Sequence, residues 1–153
     1  MSEVINFYSP NDEFGCFSNF ARHSVFLKGK RWPTSEHYFQ AQKFEDPKIQ
    51  EAVGNAKTPG IAANMGRDRK NPLRRDWESV KVQVMTDVVR AKFTQHEDLR
   101  EVLLSTGDSK LVEHTVNDSY WGDGGDGSGK NMLGIVLMRI REELRSGAEQ
   151  KAE

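Results

Sequence analysis

The fold of this chain is decided by the stretch Trp32-Pro33-Thr34-Ser35-Glu36-His37-Tyr38-Phe39-Gln40-Ala41-Gln42-Lys43-Phe44. It opens like a helix, because Thr34 is a suitable N-cap, Glu36 lies in the first turn and strong helix formers follow. At about 100° per residue, one stripe contains Glu36, Phe39 or Gln40, and Lys43, with Ala41 and Phe44 close by. Two interpretations are open: a surface helix with a favourable acid at its start, or a polar site with apolar walls.

Length and composition limit the class of protein. The chain has 153 residues, which is a single-domain length, and its 22 basic and 23 acidic residues leave a net charge of -1. This balance offers no general attraction to polyanions, so any anion site must be local. The single cysteine, Cys16, excludes an internal disulfide and a multi-cysteine zinc site, and the four histidines have no ligand-like spacing. We therefore expect no metal and no cofactor.

The N-terminal sequence lacks the pattern of a signal peptide, and no apolar run is long enough to span a membrane. These two observations favour a cytoplasmic protein without a membrane partner.

Periodicity and turn signals predict the order of elements. They indicate a strand over 4–8, a hairpin over 24–32, helices from residue 34 and over 47–54, 59–66, 77–95 and 96–104, a strand over 110–115 and a helix over 131–144. Residues 14–20 contain three phenylalanines without a helical or strand period, and they either plug the core or wall a flat ligand. The order predicts an α+β fold, predominantly helical with a small β-sheet, in a single domain over 1–153. Its core spans about 5–144, and a polar tail over 145–153 is expected to fray.

A basic run follows the third helix, with five basic residues among the nine from Arg67 to Arg75. Such a run is either a solvated surface or a local phosphate clamp, for which Arg67 is best placed.

Five of the 13 glycines lie within residues 122–129. Gly122, Gly124 and Gly127 match G-x-G-x-x-G, but no second strand follows for a dinucleotide fold. A P-loop is also excluded, because Asn131 stands where Ser or Thr is needed. The loop is either a flexible acidic connector or a cradle whose backbone N–H groups meet phosphate or ribose at a helix N-terminus. Asp123 lies in it, beside Trp121, whose ring can stack on a base.

Several motifs together resemble the NADAR family, close to its YbiA-like bacterial members. They are residues 7–9, 17–20, 32–44, 65–67, 121–124 and 131–134, and the resemblance runs from about Ile5 to Leu144. The resemblance implies one α+β domain of the NADAR/YbiA-like fold and N-glycosidase chemistry. In YbiA-like members the implied substrates are phosphoribosylamino-uracils at the start of riboflavin synthesis. Other members remove ADP-ribose from guanine in nucleic acid. The resemblance implies Glu36, Trp121 and Asp123 as site residues, with Lys43 catalytic in the ADP-ribose branch.

The residue types suit this chemistry. Breaking a ribose C1′–N bond passes through an oxocarbenium-like state that either Glu36 or Asp123 can stabilise, or beside which either can activate water. Lys43 can form a Schiff base with the ring-opened sugar if burial lowers its pKa. In a continuous helix, Glu36 and Lys43 are separated by a rise of roughly 10 Å and flank one pentose.

The remaining candidate residues are assigned to substrate binding. Asn19, Phe20 and Trp121 are expected to hold the base, and Arg67 and the glycine loop with Gly122, Gly124 and Asn131 are expected to hold phosphate.

Three functions remain open. The first is a hydrolase of phosphoribosylamino-pyrimidine intermediates, favoured by the compact domain and the absence of a broad basic face. The second is an ADP-ribosyl-guanine glycohydrolase acting on DNA or RNA, favoured by the Arg67–Arg75 run. The third is a non-catalytic module that binds NAD or ADP-ribose.

Overall fold

The computed structural model describes residues 3–152, with side chains as far as Gly147. Within that part of the chain there are four strands and six α-helices. In chain order they are β1 (Val4–Phe7), β2 (Val25–Leu27), β3 (Lys30–Trp32), α1 (Ser35–Ala41), α2 (Pro47–Gly54), α3 (Pro59–Arg67), α4 (Trp77–Gln95), α5 (Glu97–Ser105), β4 (Lys110–Glu113) and α6 (Met132–Ala152). A 3₁₀ turn covers Gly15–Phe17 in the phenylalanine-rich segment. The predicted α+β, predominantly helical class is confirmed.

Two compact units make up the chain. One comprises the residues up to Ser18 and from Phe93 onward, and the other comprises Asn19–Lys92. Helix α4 begins in the second unit and ends in the first. The expected single domain over residues 1–153 stays a prediction, and residues 1, 2 and 153 lie outside the described part of the chain.

The Asn19–Lys92 unit begins with the predicted hairpin. Strands β2 and β3 pair antiparallel, with Val25 opposite Trp32. Lys28 and Gly29 form the two-residue turn with φ of 55° and 77°, the left-handed conformation that matches the twist of the strands. The indole N–H of Trp32 donates to the Leu27 carbonyl at 3.0 Å, so the hairpin delivers a fixed, buried ring to the start of α1.

Helix α1 is buried at all seven positions. The predicted cap is confirmed, since Thr34 Oγ1 accepts a hydrogen bond from the His37 backbone N–H at 3.2 Å. The Trp32 ring packs edge-on against Tyr38 at 5.4 Å. The helix ends at Ala41, so Lys43 lies beyond its last turn and the rise of roughly 10 Å calculated for a continuous helix does not apply.

Helices α2 and α3 start at the predicted residues 47 and 59, and Asp46 and Thr58 are their N-caps, each followed by proline. Two glycines allow their neighbours a close approach. A Cβ on Gly54 would lie 2.9 Å from the Trp32 ring, and one on Gly66 would lie 1.8 Å from Gln40 Oε1.

The other unit contains a strand pairing that was not predicted. Strand β1 pairs parallel with β4, from Val4 opposite Lys110 to Phe7 opposite Glu113. The β structure of the described residues is therefore two separate two-stranded sheets. Helix α6 lies close against β4, because a Cβ on Gly134 would meet the Leu111 carbonyl oxygen at 2.1 Å. Apolar side chains at helical spacing on α6 are buried: Leu133, Val136, Leu137 and Ile140.

Helix α6 continues to Ala152, beyond the predicted helix end at residue 144, and the fraying of the tail stays a prediction. Arg145 anchors this turn by donating to the Asp108 carboxylate at 3.0 Å and to the Gly107 carbonyl at 2.6 Å. No helix in the described part of the chain is long and apolar enough to cross a membrane.

We expect Gly54→Ala to destabilise the protein by about 1–3 kcal/mol, because the new methyl group overlaps the Trp32 ring that packs on α1. Urea unfolding followed by circular dichroism measures this loss. Gly60→Ala is the matched control in a neighbouring helix, where the added methyl meets only the Thr58 hydroxyl at 3.8 Å. Its stability should stay equal or rise by up to about 1 kcal/mol. Equal stability of Gly54→Ala and wild type would contradict the close packing.

Candidate active site

Glu36 is a buried carboxylate with a fixed position. Its side chain, in a residue only 8% exposed, accepts a 2.6 Å hydrogen bond from Gln40 Nε2 one turn later in α1. Its backbone N–H donates to the Asn19 carbonyl at 3.2 Å. Burial favours the neutral acid, whereas a hydrogen bond donated to the carboxylate favours the charged form.

Asn19 contacts the start of α1. Its side-chain oxygen accepts from the Ser35 hydroxyl at 2.8 Å, and its amide nitrogen approaches the Met85 sulfur at 3.4 Å. The predicted role of Asn19 in base binding stays a prediction, and the structure gives its side chain a second task in holding α1. Phe20, the other base ligand expected from this segment, is 40% exposed.

Lys43 lies just after α1 in an aromatic setting. Its ammonium lies 5.7 Å from the centre of the Phe39 ring and 6.0 Å from that of Trp77, and the two rings meet edge-on at 5.1 Å. Burial lowers the pKa of Lys43 to about 8. The charge of Glu36 opposes this shift, whereas the positive charges of nearby basic side chains add to it: Arg69, Arg67 and Lys81. The condition set for a lysine nucleophile, a pKa lowered by burial, is therefore met.

The side chains of the basic run differ in their exposure and in their hydrogen-bond partners. Arg67 is exposed and donates to the Asn64 side chain, and Arg69 donates to the Gly66 carbonyl. Arg74 binds both carboxylate oxygens of Asp76, at 2.6 and 2.9 Å. Its backbone N–H also donates to the Lys43 carbonyl at 2.8 Å, so Arg74 fixes the segment that carries the lysine.

Asp123 is held by three hydrogen bonds. Its Oδ1 accepts from the backbone N–H groups of Thr115 and Gly125 at 3.0 and 2.8 Å, and its Oδ2 accepts from His114 Nδ1 at 2.7 Å. The His114 hydrogen bond, followed by the two backbone bonds, lowers the pKa of Asp123 to about 2. A carboxylate with so low a pKa is a weak proton acceptor near neutral pH.

The glycine loop binds mainly to itself. Its backbone N–H groups donate to acceptors that lie between Glu113 and Asp126. The donating residues are Tyr120, Trp121, Asp123, Gly124, Gly125, Ser128, Gly129, Lys130, Asn131, Met132 and Leu133. The first N–H groups of α6, those of Met132 and Leu133, donate to the carbonyls of Tyr120 and Trp121. These N–H groups are therefore hydrogen-bonded within the loop and do not form the expected phosphate cradle at this helix end.

The Asn131 side chain hydrogen-bonds to the backbone of β4, as a neighbouring strand would. Its side chain accepts from the Glu113 N–H at 3.0 Å and donates to the Leu111 carbonyl at 2.9 Å, with φ of 53°. Gly122 is buried, and a Cβ there would lie 2.8 Å from the Asp118 carbonyl oxygen. These contacts give both residues a structural task, and their predicted role in substrate binding stays a prediction.

The predicted site residues fall into the two units. The Asn19–Lys92 unit contains Glu36 and Lys43 with Asn19, Phe20 and Arg67, and the other contains Asp123 with Trp121, Gly122, Gly124 and Asn131. Trp121 is partly buried and meets the Tyr120 ring edge-on at 4.9 Å, while Gly124 takes a positive φ of 74°.

Two contacts of the site residues were missed. Gln40 was on the stripe of α1, and its spacing of four from Glu36 signals the contact. His114 had no sequence signal, because a nine-residue separation in a loop implies no proximity.

Comparison with known proteins identifies the family. The NADAR domain model matches residues 6–145, and the chain belongs to the NADAR family. It is 60% identical to N-glycosidase YbiA of Escherichia coli over 141 residues, 92% of this chain and 88% of that protein. An N-glycosidase of Nostoc punctiforme is 48% identical, with 94% of each chain covered. The NMR structure of E. coli YbiA superposes with a TM-score of 0.89 at 58% identity, covering 100% of this chain and 90% of that one.

These relatives confirm the predicted family and the predicted class of enzyme, a hydrolase of N-glycosyl bonds. A further relative, 45% identical over 97% of this chain and 40% of its own length, is a riboflavin biosynthesis protein of Vibrio vulnificus.

We expect Asp123→Asn to lower the melting temperature above pH 4, because the charged hydrogen bond with His114 is lost. The pKa of Asp123 in the folded state is about 2, below its ordinary value of 3.8. Its stabilisation is therefore complete above pH 3.8 and is lost as the pH falls through 2. In melting curves of both proteins between pH 7 and pH 2.5, the difference in melting temperature should narrow toward the acid end. Asp98→Asn, an exposed charge change, is the control. A constant difference across this range would contradict the assignment.

Proposed function

We propose that this N-glycosidase hydrolyses the bond between ribose C1′ and the exocyclic amine of a phosphoribosylamino-pyrimidine, yielding ribose 5-phosphate and the uracil amine. The observation that carries the proposal is Lys43, an amine with a pKa of about 8 beside two aromatic rings. The riboflavin biosynthesis name of the Vibrio relative supports this substrate class.

Lys43 is proposed as the nucleophile. A ribosylamine opens to an imine at C1′, and the neutral amine of Lys43 adds to that carbon. The uracil amine leaves with a proton, and a Schiff base joins Lys43 to ribose 5-phosphate. Water then adds to C1′, the bond to Nζ breaks, and the sugar leaves as its aldehyde. The substrate gains one water, and the lysine is regenerated.

Glu36 is proposed as the group that accepts a proton from this water. Two carboxylates were candidates for the task, and their hydrogen bonds separate them. Asp123 accepts three bonds, led by the one from His114, that lower its pKa to about 2, whereas Glu36 Oε1 accepts from the neutral amide of Gln40. The negative charge of Glu36 also interacts with the positive charge of Lys43, and this supports a shared role in one reaction.

The substrate phosphate is proposed to bind basic side chains. Arg67 and Arg69 both act electrostatically on Lys43. Positive charges that gather around a partly buried lysine are unfavourable by themselves, and a bound dianion offsets their repulsion.

An ADP-ribosylated nucleic acid is the second candidate substrate. The observation in its favour is the exposed part of the basic run: Arg67, Arg69, Lys70 and Arg75. Arg74 is a poor probe of this candidate, because it binds Asp76 and the Lys43 segment. Arg75→Ala is the appropriate variant for testing this candidate. It should lower turnover of an ADP-ribosylated nucleic acid if that is the substrate, and it should leave turnover of the small phosphate unchanged.

Glu36→Gln should lower kcat on the phosphoribosylamino-uracil by a factor on the order of 10² to 10⁴, because the amide cannot accept the proton of water. Purified wild type and variant are incubated with this compound and, separately, with an ADP-ribosylated guanosine oligonucleotide, and products are read by mass spectrometry. Turnover of the oligonucleotide alone would replace the proposed substrate with the second candidate. Full activity of Glu36→Gln on the small phosphate would refute the role of Glu36.

The rate should rise with pH as Lys43 loses its proton. With a pKa of about 8, kcat/KM should increase from pH 6.5 through pH 8 and level off at about one pH unit above the pKa, since the neutral amine is the reactive form. Borohydride added during turnover should attach the reduced pentose phosphate to Lys43, detected by peptide mass spectrometry. Lys43→Arg keeps the charge but should be inactive, whereas Lys48→Arg, at an exposed site, should match wild type. An active Lys43→Arg without adduct would exclude the Schiff base.

A further inference from the structure

We infer that Gln40 is a positioning residue, which holds Glu36 as a correctly oriented carboxylate. The absence of a side chain at Gly66 leaves the space that this contact needs. The inference rests on the proposed function of Glu36. Its basis is the geometry of three residues on α1 and α3, which all belong to the Asn19–Lys92 unit.

With Glu36 as a carboxylate, the contact between Gln40 and Glu36 has one workable orientation. Gln40 Nε2 lies 2.6 Å from Glu36 Oε1 and donates to it. Rotating the amide by 180° would bring a carbonyl oxygen against a carboxylate oxygen, which is repulsive. In the observed orientation Nε2 donates to Glu36 Oε1, and a hydrogen bond donated to a carboxylate stabilises its charged form.

The opposite end of the same amide is left without a hydrogen bond. Gln40 Oε1 is buried and has no partner among the residues that the structure describes, and Gln40 is 6% exposed. A buried acceptor without a partner is unfavourable, and an apolar side chain of similar shape would avoid it. The amide is therefore explained by what its other end does, which is to donate to Glu36.

Gly66 sets the room available to this amide. An ideal Cβ at residue 66 would lie 1.8 Å from Gln40 Oε1 and 2.7 Å from its amide carbon. Any larger residue would push the end of the Gln40 side chain away and break the bond to Glu36. Gly66 is not among the glycines with a positive φ, so the requirement arises from space and not from backbone conformation.

The arrangement explains how a buried carboxylate can serve as a proton acceptor. Burial alone would favour the neutral acid, which accepts no proton from water. The Gln40 hydrogen bond offsets this tendency and aims Glu36 Oε1 along α1. Removing the bond should therefore change both the geometry and the pH range in which the enzyme works.

Gln40→Met tests the inference, because it keeps the length of the side chain and removes the donor. We expect kcat to fall by a factor on the order of 10² with KM within about threefold of wild type. We also expect the activity of the variant relative to wild type to rise with pH, because Glu36 then needs a higher pH to ionise. The melting temperature should change little, because the loss of the donor to the buried Glu36 carboxylate and the removal of the unpaired Gln40 acceptor oppose each other.

Gly66→Ala is the second, independent variant, and Gly60→Ala in the same helix is its control. Gly66→Ala should reproduce the loss of kcat and the pH-dependent ratio of Gln40→Met, whereas Gly60→Ala should behave as wild type. These kinetics are measured on the phosphoribosylamino-uracil between about pH 6 and pH 9, on either side of the expected transition, with circular dichroism to confirm folding.

The outcomes separate the inference from the proposed function. A pH-independent ratio near one in both folded variants would show that Gln40 serves packing alone and would overturn the inference, provided Glu36→Gln is inactive. A fully active Glu36→Gln would overturn the proposed function and the inference with it. If Gln40→Met fails to fold, Gly66→Ala decides the question by the same ratio.

Discussion

Helix α1 is buried at every position, so each of its polar side chains needs a partner inside the protein. Ser35 donates to Asn19, and the ring of His37 bonds the Thr34 hydroxyl at 2.8 Å and the Ala56 carbonyl at 2.9 Å. Burial lowers the pKa of His37, which favours the neutral ring, with one donor and one acceptor for these two bonds. Glu36 finds a donor within the helix itself, in Gln40. The hairpin, α2 and α3 are arranged around this requirement.

The glycine loop shows a different way to satisfy backbone groups. Its N–H groups and the first ones of α6 bond to carbonyls and carboxylates of the same loop, and Asp123 is the centre of that pattern. A glycine-rich segment before a helix is often an anion site, because its N–H groups are unpaired. Here they are used internally, so the proposed phosphate contacts move to the basic side chains near Lys43.

Individual residues show how far the candidate site could be predicted. Glu36 and Gln40 are four apart, and this spacing alone places them on one face of a helix. The sequence could state the lowered pKa of Lys43 only as a condition for a Schiff base, because the burial of this lysine depends on Phe39, Trp77 and the turn after Ala41. The partnership of His114 with Asp123 and the engagement of Arg74 by Asp76 had no periodic signal, because loops bring residues together without a fixed repeat.

The sequence by itself determined the local elements: the hairpin with its Lys28-Gly29 turn, the capped starts of α1, α2 and α3, and the buried stripe of α6. These follow from short-range sterics and side-chain period, which a single stretch of chain contains. Only the tertiary structure decided the parallel pairing of β1 with β4, the room that Gly66 leaves for Gln40, and the end of α1 before Lys43. Each of these depends on atoms from segments distant in sequence, whose approach no local pattern encodes.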